Sequence, residues 1–371
     1  MKKILLGTSA IALAGAVVSP ASAAEWNVRV GGYMEQFIGY ANSDANFSGD
    51  FDGIDSKMDP EIWFLPSITL DNGIKFAANI QLEGLSNPSD QIDESMMIIT
   101  GSFGQVYLGS ENSAGYKMTY AAPDVTFINI NSGSTTMFIP WSGNGAGSDL
   151  FRRTLNTTFI ENSGNNDAQR FTYFSPRFAG LQVGVSYARD GLQDNNSQVD
   201  VDVENGGFPT DIFDFGANYV QSFGDFDVAV SGRWGTADDH VGSNATIWAL
   251  GLNLGFGGFT VGGSYAEQNN NGHRFRNGEA YDLGVSYETG PWGVSLTYQH
   301  GENQGNPDPD GTLEIGDEES DQYLVGLSYD LAKGVNVGAY GVYVDFDDAK
   351  GGSADHSVDG FIIGTGFKIK F

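Results

Sequence analysis

The chain has 371 residues, a formal net charge of −29 at pH 7 and no cysteine, with 52 glycines, 25 phenylalanines and 16 tyrosines. The acid excess excludes a nucleic-acid binder, which needs basic surface against phosphates, and the lack of cysteine excludes thiol catalysis and cysteine metal sites. Aromatic and turn-forming residues at this density suit a β protein that needs no disulfides in an oxidising compartment.

The chain opens on Met1-Lys2-Lys3, an apolar run from Ile4 to Val18, and Ala21-Ser22-Ala23. A positive start, a short apolar stretch and small residues at a cleavage motif read as a secretory signal peptide over 1–23, leaving a mature chain of 24–371. Beyond Val18 no apolar run approaches the ~20 residues that a membrane-spanning helix needs. A barrel strand needs only ~10 residues with every second one apolar, and that pattern recurs to the last residue. Phe76, Ala78, Ile80 and Leu82 alternate with Lys75, Ala77, Asn79, Gln81 and Glu83. Farther on, Leu181, Val183, Val185 and Tyr187 oppose Gln182, Gly184 and Ser186, and Phe361, Ile363, Phe367, Ile369 and Phe371 oppose Gly360, Gly364, Lys368 and Lys370. A sheet with one wet and one apolar face, and no helix to cover it, is stable when hydrocarbon meets the apolar face.

Strands are expected near 26–40, 61–70, 74–83, 94–101, 105–111, 169–176, 181–189, 211–222, 225–234, 245–254, 259–266, 280–288, 293–300, 321–329, 335–344 and 358–371. Short connections rich in Gly, Asp, Asn and Pro, such as Asp71-Asn72-Gly73 and Phe223-Gly224-Asp225, alternate with longer polar stretches, the longest being 112–168. The fold class is therefore all-β, a 16-stranded antiparallel transmembrane β-barrel. An even strand number puts both chain ends on the turn side, so Ala24 and Phe371 should approach and the ring should close without lipid-exposed edges. Outward aromatics fall in two rows. Tyr187, Phe213, Trp234, Trp248, Tyr265, Tyr281, Tyr323, Tyr343 and Phe361 lie toward the long loops, and Tyr219, Phe226, Phe259, Tyr287, Tyr329, Phe367 and Phe371 toward the short turns.

With apolar side chains outward, parity assigns the opposite residues to water. The inward basic candidates are Arg29, Lys75, Arg170 and Arg233, and the inward acidic ones are Glu35, Glu61, Glu83, Glu94 and Glu111. Inward Tyr33, Phe37, Trp63 and Phe174 form no continuous track of the kind a specific sugar channel would show. The four histidines, His240, His273, His300 and His356, stand in no metal-protease pattern, and no nucleophile elbow or phosphate loop occurs, so no enzyme activity is expected.

Three stretches carry a family resemblance: 31–36 (GGYMEQ), 101–112 (GSFGQVYLGSEN) and 173–180 (YFSPRFAG), together with the terminal Phe371. In these the chain resembles the general diffusion porins of Gram-negative outer membranes, especially their alphaproteobacterial branch. The resemblance implies a homotrimer in the outer membrane, in contact with lipid and lipopolysaccharide. Each barrel would pass small hydrophilic solutes and ions through its own pore, and no cofactor is required. It implies that the third long loop, 112–168, folds inward and constricts the pore, and that Phe371 is read by the barrel assembly machinery. It also implies a transverse field, with Arg29, Lys75 and Arg170 on the wall facing Asp124, Asp149, Glu161 and Asp167 on the loop. Arg152 and Arg153 are candidates to neutralise loop acids. The short Pro-Glu-Phe-Gly-Gly signature of enterobacterial relatives is missing. The acid excess points to weak cation preference, and a substrate-specific channel for a sugar or other small nutrient is the alternative. Asp308, Asp310 and Glu314 lie in an acidic run with two readings, a solvated loop tip or a Ca²⁺ site that bridges loops or lipopolysaccharide phosphates.

Overall fold

The structure, a computed structural model, describes residues 25–45, 52–85, 91–139, 152–162, 167–191, 209–238, 244–269, 277–305, 315–351 and 355–371. The expected signal peptide, Ala24, Asp149, Asp308, Asp310 and Glu314 lie outside the described residues.

Alternation produces sixteen strands among the described residues: β1 (Asn27–Ala45), β2 (Gly53–Thr69), β3 (Lys75–Glu83), β4 (Ile92–Gly101), β5 (Gly104–Ser110), β6 (Gln169–Phe174), β7 (Leu181–Asp190) and β8 (Thr210–Phe223), followed by β9 (Phe226–Asp238), β10 (Ala245–Phe256), β11 (Phe259–Asn269), β12 (Gly278–Thr289), β13 (Trp292–Gln304), β14 (Asp317–Ala332), β15 (Val335–Asp347) and β16 (Val358–Lys370). Each pairs antiparallel with its neighbours in sequence, and β1 pairs with β16 from Tyr33↔Lys370 to Ala45↔Val358, so the barrel is closed. The last residue completes the seam: Gly32 N donates to Phe371 O and Phe371 N to Gly32 O, each at 3.1 Å. Closure gives every spanning strand two partners, the condition for a sheet in hydrocarbon.

Each strand matches one expected from the sequence, but several run farther at the loop end. β1 continues to Ala45, β2 begins at Gly53, and β9 reaches Asp238. The side chains added, such as Asn42, Asp44 and Asp55, are polar, so apolar alternation stops while the backbone ladder goes on. Ladder bonds do not require apolar side chains once the strand has left hydrocarbon. At the other end the turns are tight. Between paired Phe256 and Phe259, Gly257 and Gly258 have φ of 58° and 87°. Two successive positive φ values define a type I′ hairpin turn, which glycine adopts without steric cost.

The outward face is apolar along the barrel, with Leu250, Leu252, Leu254, Val261, Leu283, Leu296, Val325 and Ile363 all exposed. Both aromatic rows assemble across strands. Tyr187 packs on Phe213, Trp248 on Tyr265, Tyr281 on Tyr298, Tyr298 on Tyr323, and Tyr323 on Tyr343. Toward the turns, Phe226 stacks on Phe256, Phe259 on Tyr287, and Trp292 on Tyr329. These are the interfacial belts of a bilayer-spanning barrel.

The inward face is not uniformly polar as alternation alone implies. On β14–β16 and β1 it carries Leu324, Tyr340, Val342, Val344, Phe346, Val358, Ile362, Phe37 and Ala41, all buried. Ile128, Ile130, Phe138, Ile139 and Leu155 from the connection between β5 and β6 cover them. Burying each large aliphatic side chain contributes roughly 1.5–3 kcal/mol, so this patch holds the connection against the wall.

Candidate functional site: the charged interior

The connection between β5 and β6 lies against the inward side of the wall and follows it strand by strand. It begins with a short helix, α1 (Ala114–Met118), capped by Ser113, whose side chain accepts from Tyr116 N. α1 sits over β8, where a Cβ on Gly216 would stand 2.8 Å from Gly115 Cα. The chain then takes side-chain anchors in order around the wall. Tyr120 N donates to Ser231 Oγ at 2.8 Å, Ala122 N to Asp282 Oδ2 at 3.0 Å, and Val125 N to Ser295 Oγ at 3.2 Å. Inward glycines leave room for this approach: a Cβ on Gly251 would collide with Tyr120 O, one on Gly326 with Thr126, and one on Gly366 with Phe127. The returning arm is held likewise. Thr158 and Ser264 share a hydroxyl bond at 2.6 Å, and Ser320 Oγ donates to Leu155 O.

Both arms meet at one buried cluster. Arg233 on β9 donates from Nη2 to Asp214 Oδ2 (2.5 Å), Ser113 Oγ (3.0 Å) and Glu161 Oε2 (3.4 Å), and from Nη1 to Ile160 O (2.5 Å). The carboxylates reach back: Asp214 Oδ1 accepts from Gly115 N at 2.6 Å, and Glu161 Oε1 from Ser113 N at 3.0 Å. The Arg233 and Glu161 side chains are 1% and 2% exposed, so these charges interact in a medium that screens them little.

Of the loop acids expected to face a basic wall, Glu161 meets Arg233 on β9, and Asp167 lies in the field of Arg170 on β6. Arg170 is buried on β6 and donates from Nε to Ala168 O at 3.2 Å. Arg29 lies on β1 opposite Leu65, and Lys75 on β3 opposite Thr69 and Thr100. Asp124 is held by Thr126 and Ser295, and burial raises its pKa. Elsewhere the loop supplies cations to a carboxylate and to an aromatic ring. Lys117 Nζ lies 2.7 Å from Glu111 Oε2, and the Arg152 guanidinium rests 4.6 Å over the Tyr116 ring. Glu94 accepts from Gln81 and, at 2.6 Å, from Asn112 Nδ2.

On β1–β3 the inward side chains Arg29, Asp59, Lys75 and Glu83 remain exposed, beside buried Glu35 and Glu61. Lys368 pairs with Glu35. Sequence reading missed Asp214, Asp282, Asp59 and Lys117, and it placed Lys368 on the wet face without its partner Glu35. For the first two a signal existed: each sits at inward parity between outward neighbours, Phe213 with Phe215 and Tyr281 with Leu283, where a carboxylate needs a partner inside the barrel.

Asp167, just before β6, has its pKa pushed up to about 8, first by burial and then by the charge of Asp93, with Arg152 and Arg170 opposing. It is therefore mostly neutral at pH 7 and gains a negative charge as pH rises through about 8. Cation permeability relative to anion is expected to rise between pH 7 and 9 in bilayer recordings, and Asp167→Asn to remove most of that rise. A ratio unaffected by the substitution would contradict this assignment.

An apolar, aromatic-belted exterior around a charged interior defines a membrane-spanning β-barrel with a water-facing bore. A Gram-negative porin family model matches residues 8–349, and the chain belongs to that family. Family and fold together make it an outer-membrane diffusion channel, in a family of channels rather than enzymes. It is similar to an uncharacterized protein of Rickettsia bellii (strain RML369-C), 23% identical over 383 residues that cover 80% of this chain and 85% of the relative. Among solved structures it resembles the anion-selective porin from Comamonas acidovorans (TM-score 0.56, 17% identity, 94% of this chain and 100% of that one). It also resembles the trimer form of OmpT, an outer membrane protein of Vibrio cholerae (TM-score 0.57, 13% identity, 93% and 99%). At these identities the structural likeness concerns the fold.

Proposed function

We propose that the protein is a passive channel for small hydrophilic solutes and ions with weak cation preference, and that 112–168 is its constricting loop. The observation that supports this reading is the series of wall-to-loop anchors from Ser231 to Ser295, which holds a polar loop backbone inside the barrel along its wall. Such a loop narrows the pore without sealing it, because exposed Arg29, Asp59, Lys75 and Glu83 keep a wet wall opposite. Cation preference is supported by the acids Glu35, Asp59, Glu61, Glu83, Glu94 and Glu111 on and beside β1–β5, together with the net charge of −29. Charges beside a narrow, low-dielectric passage act strongly on permeant ions. In this respect the chain differs from the Comamonas acidovorans relative, named as anion-selective.

In the cell the chain is exported by its signal peptide, 1–23, and assembled through its terminal Phe371. It sits as a homotrimer among outer-membrane lipid and lipopolysaccharide, as the trimer form of the Vibrio cholerae relative supports. Reconstitution tests the channel reading. Purified protein should give stepwise conductance in planar bilayers and should swell liposomes in sugars at rates that fall smoothly with sugar size. A single sugar with saturable, selective uptake would favour the substrate-specific alternative, and the absence of both signals would overturn the reading.

A further inference from the structure

Between the wall of β1–β3 and the loop lies a cavity of about 270 Å³. At roughly 30 Å³ per water it has room for a solute of about nine heavy atoms. Its lining is divided by chemistry. Glu35, Asp59 and Glu83 come from three neighbouring strands, while Phe37, Phe127 and Met137 supply rings and a thioether, with the Phe37 and Phe127 centroids 5.8 Å apart.

The chain itself shows what such a wall holds. Lys368 Nζ bonds to Glu35 and stands 5.3 Å over the Tyr33 ring, and Tyr33 OH donates to Asp59 at 3.4 Å. One position along, Lys370 Nζ lies 5.5 Å over the Trp63 ring. Two ammonium groups are thus held against ring faces, one of them by a carboxylate as well, which is the mode by which proteins receive organic cations. An inorganic cation would use the carboxylates and leave the apolar half unused. An anion would be repelled, and a sugar would leave hydroxyls facing Phe37, Phe127 and Met137 without partners.

We propose that this cavity is a subsite for aliphatic organic cations, whose ammonium meets Asp59 and Glu83 while the hydrocarbon lies on Phe37, Phe127 and Met137. The inference rests on the channel reading and deepens it by naming a solute class.

The test is block of single-channel KCl current by n-alkylammonium ions. Hexylammonium is expected to block more strongly than butylammonium, and butylammonium more strongly than tetramethylammonium, whereas 1-hexanol and hexanoate leave the current unchanged. Asp59→Asn with Glu83→Gln should weaken hexylammonium block about tenfold, the loss of roughly 1.4 kcal/mol of charge-assisted contact. Lys368→Met removes the competing internal ammonium and should strengthen block severalfold, a gain that misfolding cannot imitate. KCl current with no block by hexylammonium, or block independent of chain length or of the two carboxylates, overturns the subsite and leaves the channel standing. No KCl current at all overturns the channel reading itself.

Discussion

Replacing Arg233 with methionine is expected to loosen the loop where its two arms meet β8 and β9, raising single-channel conductance and exposing the chain near Ser113 and Glu161 to protease. The guanidinium bonds to Asp214, Glu161, Ser113 and Ile160, and so ties the outgoing and returning arms to β8 and β9 at one point. Without it, two carboxylates with side chains about 2% exposed stay buried beside each other with no counter-charge. Breaking a buried pair from one side costs roughly 3–5 kcal/mol, because the remaining charge keeps its desolvation penalty. The barrel wall does not depend on this cluster, since its ladder closes through β1 and β16, so the damage should be confined to the loop. Replacing the three charged residues together, Arg233→Met with Asp214→Leu and Glu161→Met, should restore part of the narrow conductance, since no unpaired charge is left. Single-variant channels with the parental conductance and protease resistance would show that the apolar patch and the other wall anchors hold the loop without this cluster.

Leu252→Arg is expected to impair insertion and folding in lipid, while Gln81→Arg should be tolerated. Leu252 faces outward on β10, four residues from Trp248 and four from Phe256, in the apolar band between the two aromatic rows. Arginine at the bilayer midplane of a barrel costs about 2–4 kcal/mol. Gln81 faces the interior from β3 and bonds to Glu94, so an arginine there gains a carboxylate partner inside the barrel. The two variants can be compared by folding yield into vesicles and by the heat-induced mobility shift of folded barrels. Tolerance of Leu252→Arg with failure of Gln81→Arg would turn the barrel inside out.

Strand number, order and closure were legible because alternation of period two is a local signal that hydrocarbon enforces along each strand. Residues such as Asn42 to Asp44 were not read as strand, since beyond hydrocarbon nothing forces alternation while the ladder continues. The apolar interior of β14–β16 was legible only in part. Phe361-Ile362-Ile363 and Tyr340 to Val344 carry apolar residues on both faces, a break in alternation that marks a wall covered on its inner side as well. Inward Gly216, Gly251, Gly326 and Gly366 look like ordinary strand glycines in sequence. Their role depends on which loop backbone arrives against them, a contact between positions far apart in the chain. The pairing of Arg233 with Asp214 and Glu161 is nonlocal in the same way. Parity could place Arg233 inside but could not select its partners.

The most direct test of the account is the reversal potential of single channels under a tenfold KCl gradient at pH 7. An acidic wall on β1–β5, with Arg233 neutralised by Asp214 and Glu161, predicts a reversal of the sign that marks K⁺ as the more permeant ion. Asp59→Asn with Glu83→Gln should shift that reversal toward zero. A reversal of the opposite sign, with Cl⁻ the more permeant ion, would contradict the assignment of these carboxylates to the conducting path.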